Sequence, residues 1–489
     1  MSRIPTAAGR DPSGARGVLS VLAWNSSGAI VGTVLQLCYT AYTARLVPPD
    51  AYGAYAVSST LMTLLGPLAF LGLGTYLLRA ERLTRQTVRS AWKVSAATGV
   101  LCCAAVQAVT PLCVAAWHLP TAGPLLRLAG LQFLVQPAAA VAVAALRRLG
   151  HGRFSALTEL LGGVCGTVTA AALLALGWNP YALAVSSALS AVYTLALSAP
   201  RLARAATEDG PPVPFRSMLG LSSAFAGYSL IQLLTLSAPI WAVTRALGAT
   251  AAGQLSRASL TCALPGDMLF HSLHRAVTPT LARRNGDGLP LGPAVRDVLS
   301  AASALSFIAF GALAGVGPAA LRLLLGPGWE TACALVPVLA VGAAFSMLYS
   351  VCCVVDEVRK VMHRLLRIQL AVTSMTVATA VAAATARDLT LTATAVAVGT
   401  GVGHLLQLRS WQRDGLCRPR ALLRPYLVHA AVGTALCASG LAGASLSKTP
   451  VAATCCSVLG MVPVALFCLA LRRRMPLYML AARRGLVSP

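Results

Sequence analysis

The sequence predicts an all-α polytopic membrane protein of about fourteen transmembrane helices, arranged as two six-helix bundles related by a parallel repeat plus two extra C-terminal helices. Three observations predict it. The 489-residue chain is 57% hydrophobic and only 11% charged, with a mean hydropathy of +0.72, where a soluble domain carries about 25% charged residues. The apolar residues fall in blocks of about 20, the length that crosses a bilayer as a helix. A turn also recurs: Arg45 and Gly53 reappear as Arg245 and Gly253, each pair between two long apolar runs and offset by 200 residues. Duplication of this kind is how many transporters build two halves around a central path.

Taken in order, residues 1–17 are polar, carry Arg3, Arg10 and Arg16, and lack the apolar core of a signal peptide. They are expected to form a cytoplasmic tail. Spans are expected near 18–44, 51–78, 90–117, 123–146, 154–177, 180–200, 217–243, 250–279, 296–325, 331–356, 363–386, 389–411, 424–446 and 450–471. Turn chemistry separates them at Pro48-Pro49-Asp50, Trp178-Asn179-Pro180, Gly326-Pro327-Gly328 and Lys448-Thr449-Pro450. Only Arg387-Asp388 marks the turn between the eleventh and twelfth. Internal Gly and Pro are tolerated in membrane helices where neighbours satisfy the backbone.

The loop 201–216, rich in Arg, Ala and Pro, follows six spans and reads as a linker. The expected organisation is therefore an N-terminal six-helix bundle over 18–200, a cytoplasmic linker over 201–216, a C-terminal six-helix bundle over 217–412, an extra helix pair over 413–471 and a basic cytoplasmic tail over 472–489. An even number of spans per half gives both halves one orientation, so the repeat is parallel. Such halves can rock about a shared cavity, the alternating-access arrangement.

A net charge of +25 raises the question of nucleic acid, and its distribution argues against it. With the N-terminus inside and loops alternating, inside segments hold 31 of the 39 Lys and Arg residues and outside segments six: Arg45, Arg127, Arg245, Arg322, Arg387 and Lys448. Positive segments resist translocation, so the expected setting is a bacterial plasma membrane, multi-pass, with both termini cytoplasmic. The basic loops are expected to lie against anionic membrane lipids. No loop is long enough for a soluble catalytic domain, so the chain is not expected to be an enzyme. The fourteen cysteines include adjacent pairs but no Cys-x-x-Cys; they read as small apolar packing residues, and no metal is expected.

Charged side chains inside spans cost a few kcal/mol each at the bilayer centre, about 2.5–3.5 on insertion scales, so the few present are informative. The eighth span is richest, with Arg257, Thr261, Asp267, His271, His274 and Arg275 around a central Pro265. At about 100° per residue, Arg257 and Arg275 share a direction. Asp267, His271 and His274 lie within about 100° on one side and Thr261 about 40° on the other. One polar stripe thus runs the helix, the wall of an aqueous path. At 1.5 Å rise the two arginines are about 27 Å apart, so they would contact an anion successively rather than together, and the planar guanidinium fork suits phosphate. The bland alternative is snorkelling to the nearer interface and an Asp267–His271 pair. Glu159, about one turn into the fifth span, is a second acid; it is either an ion-coupling site or the partner of Arg153 or of a neighbouring helix. Asn25 in the first span is a further polar candidate for the path, as are Arg45 and Arg245 at the repeated turns; Asn25 and Gln36 otherwise read as interhelical hydrogen bonds. Asp356-Glu357 beside Arg359-Lys360 reads as a solvated salt-bridge cluster.

Arg45-Leu46-Val47-Pro48-Pro49-Asp50-Ala51-Tyr52-Gly53, followed by a span ending Gly72-Leu73-Gly74, resembles the opening of polysaccharide flippases, whose pattern is roughly Arg-Leu-Gly-Pro, two residues, Phe or Tyr, then Gly. Gly248 through Pro265 resembles the matching stretch of the second half, Val277 through Arg283 its Pro-x-Leu-(Ser/Ala)-Arg close, and 147–157 also fits. The resemblance runs over about 20–410 and departs at Val47 and Leu255, where the family often has Gly and Tyr. It implies the polysaccharide branch of the multidrug/oligosaccharidyl-lipid/polysaccharide (MOP) exporter superfamily, a MATE-like fold. It also implies a flippase that moves polyprenyl-diphosphate-linked saccharides from inner to outer leaflet for cell-surface polysaccharide biosynthesis. The implied partners are the lipid-linked saccharide and the glycosyltransferases and polymerase of its pathway. No cofactor is expected; coupling to a proton or sodium gradient through Glu159 or Asp267 is. The alternative is an exporter of drugs or small metabolites on the same fold. That reading asks for more acids and aromatics than this chain has, at 6% aromatic. A membrane polymerase or ligase would need a large outside loop, and a sugar porter of the major facilitator type a Gly-x-x-x-Asp-Arg motif after the second span. Neither is present in the sequence.

Overall fold

The computed structural model describes residues 32, 34–70, 72–79, 83–205 and 223–470; among them every regular element is helical. The tails 1–17 and 472–489, Trp24 and Asn25 lie outside the described residues, as does the linker beyond residue 205. α1 (34–46) is the described end of the first predicted span. The second, predicted as one helix over 51–78, is two: α2 (Pro49–Phe70) and α3 (Leu73–Arg79). The chain turns between them at Gly72, whose φ of +69° a continuing right-handed helix does not allow. The fourth is likewise divided, into α5 (Ala122–Gly130) and α6 (Gln132–Arg148), joined through Leu131.

The other spans appear as α4 (Arg85–Trp117), α7 (Gly152–Ala175), α8 (Tyr181–Ala205), α9 (Ser223–Leu247), α10 (Ala249–Gly286), α11 (Gly292–Leu325), α12 (Glu330–Val358), α13 (Met362–Thr385), α14 (Leu389–Arg413), α15 (Arg420–Ser445) and α16 (Pro450–Ala470). The sparsely marked turn at 387–388 is real. Arg387 takes a φ of +57°, and the Asp388 carboxylate caps α14 by accepting the Leu391 N–H at 3.0 Å. Among the described residues, twelve helical runs, α5 and α6 counted together, are long and apolar enough to cross a membrane. α10 stands outside that group: it is 38 residues long but carries the polar stripe. The predicted total of about fourteen includes α10 and the first span.

Packing divides the chain into two compact units. The first takes in Met1–Thr43, Leu65–Thr110 and Pro124–Ala226. α6 is its centre, with α3, α7 and α8 against it, and Leu73, Leu77, Val88, Val141, Leu146 and Leu202 form its core. Lipid is as apolar as these side chains, so close packing rather than water exclusion holds such helices together. Along α7, Gly162 and Gly166 lie directly on the Thr194 and Ser190 backbone of α8.

The second unit takes in Ala44–Leu64, Pro111–Gly123 and Gly227–Pro489. α12 is the most buried span, with α10, α11 and α14 around it. α15 and α16, the predicted extra pair, pack on each other and on α11. α11 and α15 cross where a Cβ on Gly311 would overlap Gly433, and one on Gly433 would overlap the Phe307 carbonyl.

Two glycines three residues apart on α7 test the packing account. A Cβ at Gly163 meets open space, whereas one at Gly166 overlaps Ser190. Gly163→Ala is expected to leave thermal stability in detergent unchanged or raise it by up to about 1 kcal/mol through helix propensity. Gly166→Ala is expected to lower it by about 1–3 kcal/mol through overpacking. Equal effects would show that α7 and α8 are not in backbone contact.

Candidate functional site

The two copies of the repeated turn meet within the second unit. A Cβ on Gly53 would overlap the Ala249 carbonyl oxygen, and one on Gly253 would overlap the Pro49 carbonyl and lie 3.1 Å from Gly53 N. Residues 49 and 249 show the same 200-residue offset as the glycines. The contact is therefore reciprocal: each helix start sits on the other copy's glycine, and only glycine permits that approach.

Around this contact the chain is tied to the turn between α11 and α12. Trp329, 1% exposed, donates its indole N–H to the Ala44 carbonyl at 3.1 Å. The Tyr52 ring lies edge-on to it, 5.8 Å between centroids. On α10, the Gln254 amide donates to the Gly328 carbonyl at 2.7 Å and accepts the Ala332 N–H at 2.9 Å. Arg45, exposed, donates to the Leu323 carbonyl at 3.1 Å, capping the end of α11 as a cation suits a helix C-terminus. Arg257, only 2% exposed, sets its guanidinium carbon 3.4 Å from the Tyr52 ring centroid, a cation–π contact. Arg245 is exposed on the last turn of α9.

The remaining stripe residues of α10 behave differently. Asp267, His271 and Arg275 follow one another at four-residue spacing and are exposed; Thr261 and His274 are half-buried. Phe270 lies beside both histidines, with ring centroids 5.8 and 5.7 Å away. Thr261 turns its hydroxyl back to the Arg257 carbonyl at 2.9 Å. The opposite face carries Ala252, Leu255, Ala258, Cys262, Val277 and Leu281, all buried, and the last two join the core of the unit. The stripe is thus divided. Arg257 shares the azimuth of Arg275, but the segment bearing Tyr52 covers it, while Asp267 to Arg275 remain open.

In the first unit Glu159 bonds Arg147, which lies on α6, rather than Arg153. Both side chains are about half exposed. Asp356 is also not the solvated acid the sequence suggests. It is fully buried and accepts the Trp411 indole N–H at 2.8 Å, the Gln407 amide and Arg359 at 3.3 Å. Arg359 and Arg364 also bind Asp414. Those hydrogen bonds, Arg364's foremost, hold the Asp414 carboxyl below the ordinary carboxylate range. Sequence reasoning passed over Tyr52, Gln254 and Trp329. Their signal was position: Tyr52 and Gln254 flank the repeated glycines, and Trp329 follows a Gly-Pro-Gly turn. Among the described residues no group of His, Cys, Asp and Glu is arranged to hold a metal ion.

Membrane-length apolar helices, a duplicated turn and a 38-residue helix bearing an open polar row define a multi-pass membrane protein. Two solved structures show the same fold. One is the lipid II flippase MurJ in an inward closed conformation, with TM-score 0.73 and 12% identity, covering 92% of this chain and 98% of that one. The other is a multidrug resistance MATE family transporter of the MOP superfamily, inward-facing, with TM-score 0.64 and 16% identity, covering 81% and 98%. Residues 43–334 match the polysaccharide biosynthesis protein family, and the chain belongs to that family. A succinoglycan biosynthesis transport protein of Rhizobium meliloti (strain 1021) is 26% identical over 312 residues, 61% of this chain; the match spans 60% of that relative's length.

The Tyr52–Arg257 contact is expected to contribute about 1–2 kcal/mol, as cation–π pairs shielded from water do. Tyr52→Leu and Arg257→Met are each expected to lower the unfolding temperature in detergent. The double variant should lose less than the sum, because the two residues share one interaction. Strict additivity would remove the contact from the account.

Proposed function

We propose that this chain moves a lipid-linked saccharide, a sugar borne on a polyprenyl diphosphate, from the inner to the outer leaflet of a bacterial plasma membrane by alternating access, for cell-surface polysaccharide biosynthesis. The observation that carries the reading is the open row Asp267, His271 and Arg275 on a helix whose other face is packed in the core. Ionisable side chains at membrane depth are stable when they face water, a bundle interior or one another, so an open row of them marks an aqueous path. A diphosphate-sugar head fits such a row: guanidinium and imidazole donors suit the phosphates, hydroxyl-rich sugar suits mixed donors and acceptors, and the polyprenyl tail stays in lipid. Membership of the polysaccharide biosynthesis protein family and a relative named as a succinoglycan biosynthesis transport protein support the same substrate class.

With both termini inside, as the charge split favours, the Gly53–Gly253 contact lies at the outer end and Arg275 towards the inner one. Arg275, His271 and His274 then receive the head first, and Thr261 lies further along; Arg257, covered by Tyr52, fastens the helix starts instead. Arg45 and Arg245 sit at the exit side. Glu159 is engaged by Arg147, which leaves Asp267 as the acid for coupling to a proton or sodium gradient. Glycosyltransferases and a polymerase of the same pathway would supply and consume the cargo, and no cofactor is required.

In proteoliposomes carrying a fluorescent polyprenyl-diphosphate saccharide, Arg275→Ala is expected to cut translocation about tenfold or more, the worth of a hydrogen bond to a charged group, with unchanged membrane insertion. Wild-type flux would remove Arg275 from the path, and export of amphiphilic cations in place of the saccharide would favour the drug-exporter alternative. Asp267→Asn is expected to abolish gradient dependence while Glu159→Gln preserves it; the reverse pattern would move the coupling site to the Glu159–Arg147 pair.

A further inference from the structure

The basic end of the second unit holds a cavity of ≈ 480 Å³ lined by Arg296, Arg359, Arg418, Asp414 and the first turn of α11 at Gly292. The sequence builds it tightly. A Cβ at Gly292 would lie 2.6 Å from the Leu416 carbonyl oxygen, so the loop after α14 rests on the start of α11 backbone to backbone. The single lining carboxylate is already engaged: Asp414 accepts from Arg359 at 3.1 Å and from Arg364 at 3.0 Å. Arg359 in turn bridges to buried Asp356. Arg296 and Arg418 are exposed, and among the described residues neither meets a carboxylate within ion-pair distance. Two guanidiniums and the positive end of a 34-residue helix therefore face one cavity whose only anion is neutralised from behind.

We infer that this cavity is a phosphate-binding site, separate from the α10 row and independent of the transport reading. Planar guanidinium forks match phosphate oxygens two at a time, and a helix N-terminus favours the same charge. The volume is in the range of small-ligand pockets, about 300–1,000 Å³, which gives a phosphate room for an attached polar group. Two sources share that chemistry: the headgroup of an anionic phospholipid in the adjoining leaflet, where basic pockets at helix ends meet such lipids, and a soluble phosphate ester. Asp414 takes no ligand; bound by Arg364 and Arg359, it positions the Arg359 guanidinium at the cavity wall.

The test uses the full chain in a neutral detergent, with binding read by native mass spectrometry and by thermal shift. The probes are phosphatidylglycerol, sn-glycerol 3-phosphate and inorganic phosphate, with phosphatidylcholine as reference. Wild-type protein is expected to bind phosphatidylglycerol, the soluble phosphates, or both, in preference to phosphatidylcholine. Retention of phosphatidylglycerol alone identifies the leaflet as the source, and retention of the soluble probes the aqueous phase. Arg296→Ala with Arg418→Ala is expected to weaken binding about 30-fold, at about 1 kcal/mol per arginine. Arg85→Ala with Arg89→Ala, which removes the same charge elsewhere, should change it less than about twofold, and Arg296→Lys with Arg418→Lys should restore only part of it, because the charge is kept and the planar fork is lost. Loss of equal size in the Arg85/Arg89 variant, no loss in the Arg296/Arg418 variant, or no binding of any phosphate would overturn the assignment. Labelling of wild-type Arg296 and Arg418 by phenylglyoxal, slowed by the bound probe and by nothing else, decides the matter without a variant; unslowed labelling overturns it.

Discussion

Two helices that begin two hundred residues apart touch backbone to backbone because Gly53 and Gly253 carry no Cβ. In lipid, apolar side chains gain little by leaving one hydrocarbon environment for another, so helix association rests on how closely backbones approach. This approach sets everything near it. With α2 and α10 in contact at their starts, Tyr52 lies over Arg257 and edge-on to Trp329, and Gln254 reaches the 326–332 turn with both ends of its amide. A larger residue at either position would move a helix, and the hydrogen bonds that fix the α11–α12 turn would move with it. The repeat in the sequence is thus also a contact in the structure: residues 49 and 53 of one copy meet residues 249 and 253 of the other.

The polar groups of the second unit fall into two sets, and the division carries the functional argument. One set finds partners inside. Asp356 collects Trp411, Gln407 and Arg359; Gln369 links Tyr349 to Thr235; Ser303 meets His429; His404 meets Tyr426. With no water in hydrocarbon, each such group needs a partner, and these networks lock one helix register against the next. The other set is the row Asp267, His271 and Arg275, which is open. A helix that needed only packing would not retain three ionisable residues at successive turns of an exposed face, since each is costly against lipid. Water and a polar cargo are the environment such residues suit.

Helix ends were legible because their chemistry is local. Asp388 caps α14 and Pro450 opens α16, each where the sequence places a turn. The break at Gly72 was hidden because Gly72-Leu73-Gly74 lies inside a run whose hydropathy does not change across it. Asp356 looked solvated because its neighbours in sequence, Glu357, Arg359 and Lys360, are charged. Its partners Gln407 and Trp411 lie about fifty residues on, beyond any local pattern. For Glu159 the sequence left Arg153 and a neighbouring helix open as partners, and Arg147 on α6 bonds it.

A helical wheel gives azimuth, and azimuth alone placed Arg257 with Arg275. What separates them is the neighbour above each. The start of α2 lies on the start of α10 and covers Arg257 with the Tyr52 ring, whereas Arg275, eighteen residues further along, is exposed. The same residue type in the same direction on the same helix is therefore a fastening at one end and an open cation at the other. A guanidinium can fill both roles because its charge persists when buried and its flat face suits a tyrosine ring as well as it suits phosphate oxygens. A lysine, whose compact ammonium holds water strongly, would suit the open position better than the covered one.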